Sequence, residues 1–274
     1  MTTTLAANDY AAQYREQMRQ QRLQPRPAQD WDQRAPGYGA NRRQSQYAVD
    51  FIARMDLRGA RTLLDVGSGP GTLALPLATR LRRVFALDHS AGMLEQLRLQ
   101  AARTRQDSIE TLHLAWEDDW RNVPLCDIAI ASRSTLVEDL DAALAKLLHH
   151  ARLRIYLTYL VGGHFMDPGV LALLGRDTPR APEHTLLLGM LEQRGLRPRV
   201  DILETPSRLA GCADAHELAQ RIEWSHGPVD EAARSRLARW FEADAERARR
   251  GGAPMRWAFV ACDVPAKGPG LASR

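Results

Sequence analysis

Leu63-Leu64-Asp65-Val66-Gly67-Ser68-Gly69-Pro70-Gly71 is the stretch whose reading decides the fold of this chain. An apolar run carries an acid near its end, and three alternating glycines follow at once. Such glycines let a backbone turn sharply and approach a ligand with no β-carbon in the way. The next apolar run, Val84–Asp88, ends in a second acid. That acid falls about twenty residues beyond the first glycine, where a carboxylate can accept hydrogen bonds from ribose hydroxyls. Strand, glycine turn, helix and strand ending in an acid together point to a bound adenosyl ligand.

Outward from this stretch the chain alternates. Thr62–Val66 reads as a strand, Leu73–Leu81 as a helix, Val84–Asp88 as a strand, and Ser90–Thr104 as a helix capped by Ser90. Ile109–Leu114, Asp127–Ser132 and Arg154–Leu160 read as further strands. Val137–His150 is the intervening helix, with Leu140, Leu144, Leu147 and Leu148 on one face. Such alternation builds a parallel sheet whose two faces must both be covered by helices. After Leu160 the spacing predicts helices over Pro168–Leu174 and Pro182–Arg194, a strand over Val200–Glu204 and a last strand over Trp257–Cys262. Asp214–Trp224 and Asp230–Ala248 have helical periodicity and form an insert before that strand.

Ahead of the first strand the signals are weaker. Ala6–Leu23 has only Tyr10, Tyr14 and Met18 as sparse apolar positions, which predicts a marginal, largely exposed helix. Gln24–Gln46 holds Pro25, Pro27, Pro36, Gly37 and Gly39 and reads as an irregular connection. Tyr47–Met55 returns to helical spacing.

The turn itself separates ligand classes. Dinucleotide binders carry Gly-x-Gly-x-x-Gly, whose third glycine permits close helix–strand packing; here that position is Thr72, and the third glycine arrives early at Gly71. No Gly-Lys-Ser/Thr follows, so the phosphate-binding Walker pattern is absent. Asp65, Gly67, Gly69 and Gly71 match the first motif of the class I S-adenosylmethionine-dependent methyltransferases, which the chain resembles over Thr62 to about Leu160 and more weakly to the final strand.

The resemblance implies an α/β fold: a three-layer sandwich around a mostly parallel seven-stranded sheet, the last strand antiparallel, with a helical insert before it. It divides the chain into a helical or irregular cap over the cofactor cleft (1–60), a Rossmann-like domain (61–264) with its insert at about 206–252, and a loose tail (265–274). It implies S-adenosyl-L-methionine as cofactor and S-adenosyl-L-homocysteine as product. Asp65, Gly67, Ser68, Gly69 and Gly71 would hold the methionine side, Asp88 the ribose, with His89 and Met93 beside it. Trp116 and Glu117 would meet the adenine, and Ser132 and Arg133 would reach the reacting end.

Methyl transfer from a sulfonium is an in-line displacement governed by alignment, so a general base is optional. Candidates for catalysis at the strand ends are His164, Arg133 and Tyr159. Arg133 suits a carboxylate or phosphate, which a guanidinium holds with two parallel hydrogen bonds. Trp31, Arg34 and Tyr38 are candidates for a lid or substrate contact. Each also has an ordinary structural reading: core packing for Trp116, a salt bridge for Arg133, a surface loop for His164.

Composition narrows the function classes. The chain has 274 residues, 45% of them hydrophobic, which is ample for a packed core. Cys126, Cys212 and Cys262 show no disulfide or zinc-ligand spacing, no apolar run is long enough to span a bilayer, and no signal pattern opens the chain, so a cytoplasmic protein without a metal or membrane partner is expected. The net charge of +4 is spread along the chain rather than gathered in a nucleic-acid tract. Transfer to a small-molecule acceptor is therefore the leading reading, and a homodimer is compatible with it. The alternatives are methylation of RNA or protein, or cofactor binding without catalysis. Ala131-Ser132-Arg133-Ser134 does not resemble the Asn/Asp-Pro-Pro-aromatic pattern of enzymes that methylate adenine or amide nitrogens.

Overall fold

Seven strands form one sheet in the order β3-β2-β1-β4-β5-β7-β6 in the computed structural model, which describes residues 8–39 and 45–265. They are β1 (Thr62–Val66), β2 (Arg83–Asp88), β3 (Ile109–His113), β4 (Cys126–Ser132), β5 (Ala151–Leu160), β6 (Arg199–Thr205) and β7 (Met255–Asp263). β1 to β5 pair in parallel, and β7 runs antiparallel to both β5 and β6. Burial explains the sequence pattern. Ile128 to Ala131 of the central β4 are wholly buried, so the strand reads as an unbroken apolar run; β3, at the edge, keeps Glu110 and His113 exposed.

Helices complete the three layers. On one face α1 (Tyr10–Gln20), α6 (Leu140–His150) and α8 (His184–Gln193) pack over Leu64, Val66, Ala129 and Leu157. On the other, α3 (Gln46–Ala53), α4 (Ala74–Ala78) and α5 (Ala91–Arg103) pack over Leu63, Ala86, Ile130 and Phe259. Among the described residues no helix is long and apolar enough to cross a membrane.

The N-terminal segment departs from its sequence reading twice. α1 is narrow in its apolar stripe yet anchored, with Tyr14 and Met18 buried and the Tyr14 hydroxyl donating to the Val137 carbonyl at 2.7 Å. The stretch expected to be irregular contains a twelve-residue helix, α2 (Ala28–Gly39), despite Pro36 within it. What holds α2 is tertiary: Asp32 accepts from the Ser90 hydroxyl at 2.6 Å and from the Gly92 N–H at 2.9 Å. Both donors sit at the start of α5, where free N–H groups and the helix dipole favour a carboxylate. Gly92 lets the helices meet, since a β-carbon there would lie 3.1 Å from both Ala35 and Asp32. The first residues of the helix expected over Ala6–Leu23, the part of the irregular stretch around Arg42 and Arg43, and the tail beyond Pro265 lie outside the described residues.

The insert shares its core with a helix from an earlier connection. α9 (Ala215–His226), α10 (Glu231–Ala243) and α11 (Ala245–Arg250) enclose a small core with α7 (Pro168–Ala172), which comes from the connection after β5. Leu171, Leu209, Leu218, Ile222 and Leu237 form its centre. The helix expected over Asp230–Ala248 breaks at Asp244, whose extended backbone and side-chain bond to the Arg247 N–H start α11 afresh.

Candidate active site

The chain runs from β1 outward to β2 and β3, then crosses back to place β4 on the other side of β1. In open α/β sheets such a reversal leaves a crevice at the carboxyl ends of the two strands, where ligands bind. Here the glycine turn leaves β1 and Ser132-Arg133-Ser134 leaves β4, so both sequence motifs border one crevice.

All three glycines of the turn have positive φ, +70° at Gly67, +53° at Gly69 and +82° at Gly71. Their surroundings differ. A β-carbon on Gly67 would lie 2.2 Å from Cβ of Ser134, and one on Gly71 would lie 2.3 Å from Leu97 of α5. A β-carbon on Gly69 would meet nothing within 4 Å. Gly67 and Gly71 therefore serve packing within the protein, and the open side of the turn is at Gly69.

Two carboxylates flank this opening. Asp88 takes the Gly69 N–H at 2.7 Å on one oxygen and the Ser90 N–H at 2.9 Å on the other, and each oxygen keeps a lone pair. Asp65 is 2% exposed and its Oδ2 has no hydrogen-bond partner. Burial first, and then the charge of Asp88, raise the Asp65 carboxyl to about 7, against a smaller opposing effect of the Ala74 N–H. The buried Ser68 hydroxyl beside it is likewise unpartnered. A ligand that brings hydroxyl donors to Asp88 and a positive charge to Asp65 satisfies these groups. His89 is half-buried, its carbonyl facing the His113 ring at 3.0 Å, and Met93 is buried on α5.

Across the crevice, β4 ends in Ser132, whose hydroxyl lies 2.6 Å from that of Tyr47; Thr158 of β5 is 3.0 Å from the same phenol. Arg133 follows with φ +58°, a left-handed conformation uncommon for a side chain of that size. Its N–H bonds to Thr158, and its guanidinium lies 4.2 Å from the centre of the Tyr47 ring. In the sequence Tyr47 is no more than an apolar helix position. Ser134 is fixed by its hydroxyl bond to the Val66 carbonyl at 2.7 Å.

The remaining sequence candidates separate. Trp116 stacks on Trp120 at 5.3 Å, and its Nε1 donates to the Ser134 carbonyl at 3.0 Å, so it braces the β4 turn; Glu117 is exposed. Tyr159 is 2% exposed, and burial with the neighbouring Tyr14 raises its phenol far above the ordinary value, which rules out an ionised base there. His164 has a buried Nδ1 without a partner, and burial followed by the field of Arg180 holds its imidazole below the usual value. It is thus neutral at pH 7 and able to accept a proton.

Two elements remote in sequence meet at Trp224. Arg34 of α2 and Arg26 ahead of it lie 3.0 and 4.0 Å from the centre of the Trp224 ring on α9. Tyr38 is exposed and lies near both Arg34 and Arg208. Trp31 is half-buried on the same helix. Arg208, just beyond β6, lies with its guanidinium 4.4 Å from the centre of the Phe165 ring. Sequence spacing carries no signal for Arg208, Phe165 or Trp224, because their surroundings are set by contacts between distant segments.

Comparison with known proteins agrees with this geometry. The methyltransferase domain family matches residues 63–152, which span β1 to the start of β5. An uncharacterized protein of Haemophilus influenzae is 33% identical over 239 residues, 85% of this chain and 88% of its own. Among solved structures, the [4+2]-cyclase SpnF superposes with a TM-score of 0.57 at 16% identity over 89% of this chain and 99% of its own. The YcgJ protein of Bacillus subtilis does so at 0.53 and 14% identity, over 81% of this chain and 99% of its own. At such identities the likeness concerns the fold.

Proposed function

The chain belongs to the class I S-adenosylmethionine-dependent methyltransferases, and from that premise we propose that it methylates a small molecule enclosed between the glycine turn, the β4 and β5 ends and the roof of α2 and α9. The observation that carries this reading is the closure by Arg26 and Arg34 over Trp224, which joins the N-terminal cap to the insert above the crevice. A crevice bordered by segments from both ends of the chain suits a small ligand.

The cofactor supplies an electrophilic methyl on a sulfonium. The residues present fit it: Asp88 has lone pairs for ribose hydroxyls, the unpartnered Asp65 and Ser68 oxygens face the methionine side, and the space over Gly69 is open. Ser132 and Arg133 border the reacting end, where the Tyr47 and Thr158 hydroxyls fix them. Of the three catalytic candidates, His164 is the one equipped to take the acceptor's proton, at its free Nδ1. Arg133 binds and orients, and Tyr159 forms the wall beneath it.

Asp88→Ala removes the ribose acceptor and the bonds to Gly69 and Ser90. It should weaken S-adenosylhomocysteine binding by about 1–3 kcal/mol in calorimetry; unchanged affinity would take Asp88 out of the site. The acceptor class is tested by following labelled methyl from S-adenosylmethionine into fractionated cell extract. Label should enter the small-molecule fraction; label confined to RNA or protein would overturn the reading.

A further inference from the structure

Four arginines from three separate parts of the chain border the same cleft: Arg26 and Arg34 from the cap, Arg133 from the end of β4, and Arg208 from the end of β6. Arg133 and Phe165 line one small cavity together with Leu160 and Trp257, and Arg208 stacks on that same Phe165. Arg26 and Arg34 close from the other side over Trp224. Of these four, only Arg26 has an ion-pair partner among the described residues, Asp30 at 3.4 Å. Its three companions lie on aromatic faces with no carboxylate at ion-pair distance, although Asp30 also acts on Arg34 from further away.

Arrangements of like charge are costly without a counterion, and other arginines of this chain pair with carboxylates. Arg54 reaches Asp201 at 2.6 Å and Arg194 reaches Asp141 at 2.6 Å. The cleft arginines instead act on one another. Enclosure, then the fields of Arg26 and Arg133, lower the Arg208 guanidinium to about 10, with Arg34 adding to the same effect and no carboxylate opposing it. Arg208 is exposed, with its guanidinium against the Phe165 ring that lines the cavity. It remains charged at pH 7.

The cofactor's single carboxylate can meet at most one guanidinium, and its ammonium and sulfonium add positive charge rather than remove it. Arg26 is matched by Asp30, so the remaining positive charge falls to the acceptor. Resting on the small-molecule reading above, we infer that the methyl acceptor is an anion bearing carboxylate or phosphate groups, seated on Arg208 and Arg133 with Arg34 at the mouth. Guanidinium forks hold either oxyanion with two parallel hydrogen bonds, and the aromatic faces of Phe165, Tyr47 and Trp224 keep the forks planar and oriented. An uncharged acceptor would leave these charges facing one another in the closed complex.

The test titrates inorganic pyrophosphate and malonate separately into the protein, with and without saturating S-adenosylhomocysteine, by calorimetry. At least one of them should bind the loaded protein, pyrophosphate marking a phosphate acceptor and malonate a carboxylate one. Arg208→Ala should weaken that binding at least tenfold and leave S-adenosylhomocysteine affinity within twofold. Arg208→Gln should do the same, which keeps the test valid if one variant folds poorly. Because the substitution relieves repulsion, the melting temperature of the unliganded variant should stay level or rise; a residue that merely supports the fold would lower it. Absence of anion binding, or equal binding by Arg208→Ala, overturns the inference. So does an RNA oligonucleotide that binds more tightly than both anions through the same arginines. Arg208-dependent anion binding in a protein that fails to bind S-adenosylhomocysteine would leave the anion site standing and overturn the methyltransferase reading alone.

Discussion

Gly67→Ala is expected to cost the protein much of its stability, whereas Gly69→Ala is expected to fold and lose its cofactor. Both positions have positive φ, which costs an L-residue about 1–2 kcal/mol. At Gly67 the added carbon also lands 2.2 Å from Cβ of Ser134. Ser134 cannot step aside cheaply, because its hydroxyl is bonded to the Val66 carbonyl and its own carbonyl receives the Trp116 indole. Overpacking of this kind adds about 1–3 kcal/mol, for a total that is a large share of a typical domain's stability. At Gly69 the carbon meets nothing of the protein, so only the backbone term remains, roughly a few degrees in melting temperature. It does occupy the open side of the turn, and S-adenosylhomocysteine affinity should fall at least tenfold. Thermal melts and calorimetry on the two variants give the comparison. A Gly69→Ala protein that binds the cofactor normally would place the ligand elsewhere.

That contrast also marks how far the sequence can be read. Three glycines after an acid announce a tight turn at a ligand, but spacing cannot say that two of them make room for Ser134 and Leu97 and only one faces open space. The same limit runs through the chain. β1 and β4 are legible because strands buried on both faces must be apolar nearly throughout, and Asp65 and Asp88 stand out as acids near the ends of β1 and β2. α2 is illegible because Pro36, Gly37 and Gly39 argue locally for a break, while the bonds from Ser90 and Gly92 to Asp32 that hold the helix join residues far apart in the chain. Trp116 is an adenine contact only by the family resemblance; that its indole Nε1 also braces the β4 turn is visible only in the structure. Of the arginine cleft, Arg34 and Arg133 are legible as candidates, but Arg26, Arg208 and the meeting of all four are not, because contacts between distant segments bring them together.

Cofactor binding should depend on pH through Asp65, strengthening as pH rises toward 7. The folded, unliganded protein holds this carboxyl at about 7, well above its ordinary value of 3.8, because it is buried without a partner for Oδ2 and faces the charge of Asp88. The folded state therefore binds a proton that the unfolded state has released anywhere between these two values. Its stabilising contribution is complete below about pH 4 and is lost as pH rises through 7, so this one group makes the unliganded protein less stable across that window. A bound sulfonium and ammonium reverse the balance by favouring the carboxylate. Binding then has to expel the proton, and between about pH 7 and pH 5 the affinity for S-adenosylmethionine should fall by more than roughly tenfold. Calorimetry at about pH 6 in buffers of different ionisation enthalpy should register release of nearly one proton. Asp65→Asn keeps the shape and removes the titration. Its affinity should be low and flat with pH, while the unliganded variant melts no lower than the parent at about pH 7.5, where the parent must carry a buried charge. A variant that still releases the proton on binding would assign it to another group and separate Asp65 from the methionine side of the cofactor.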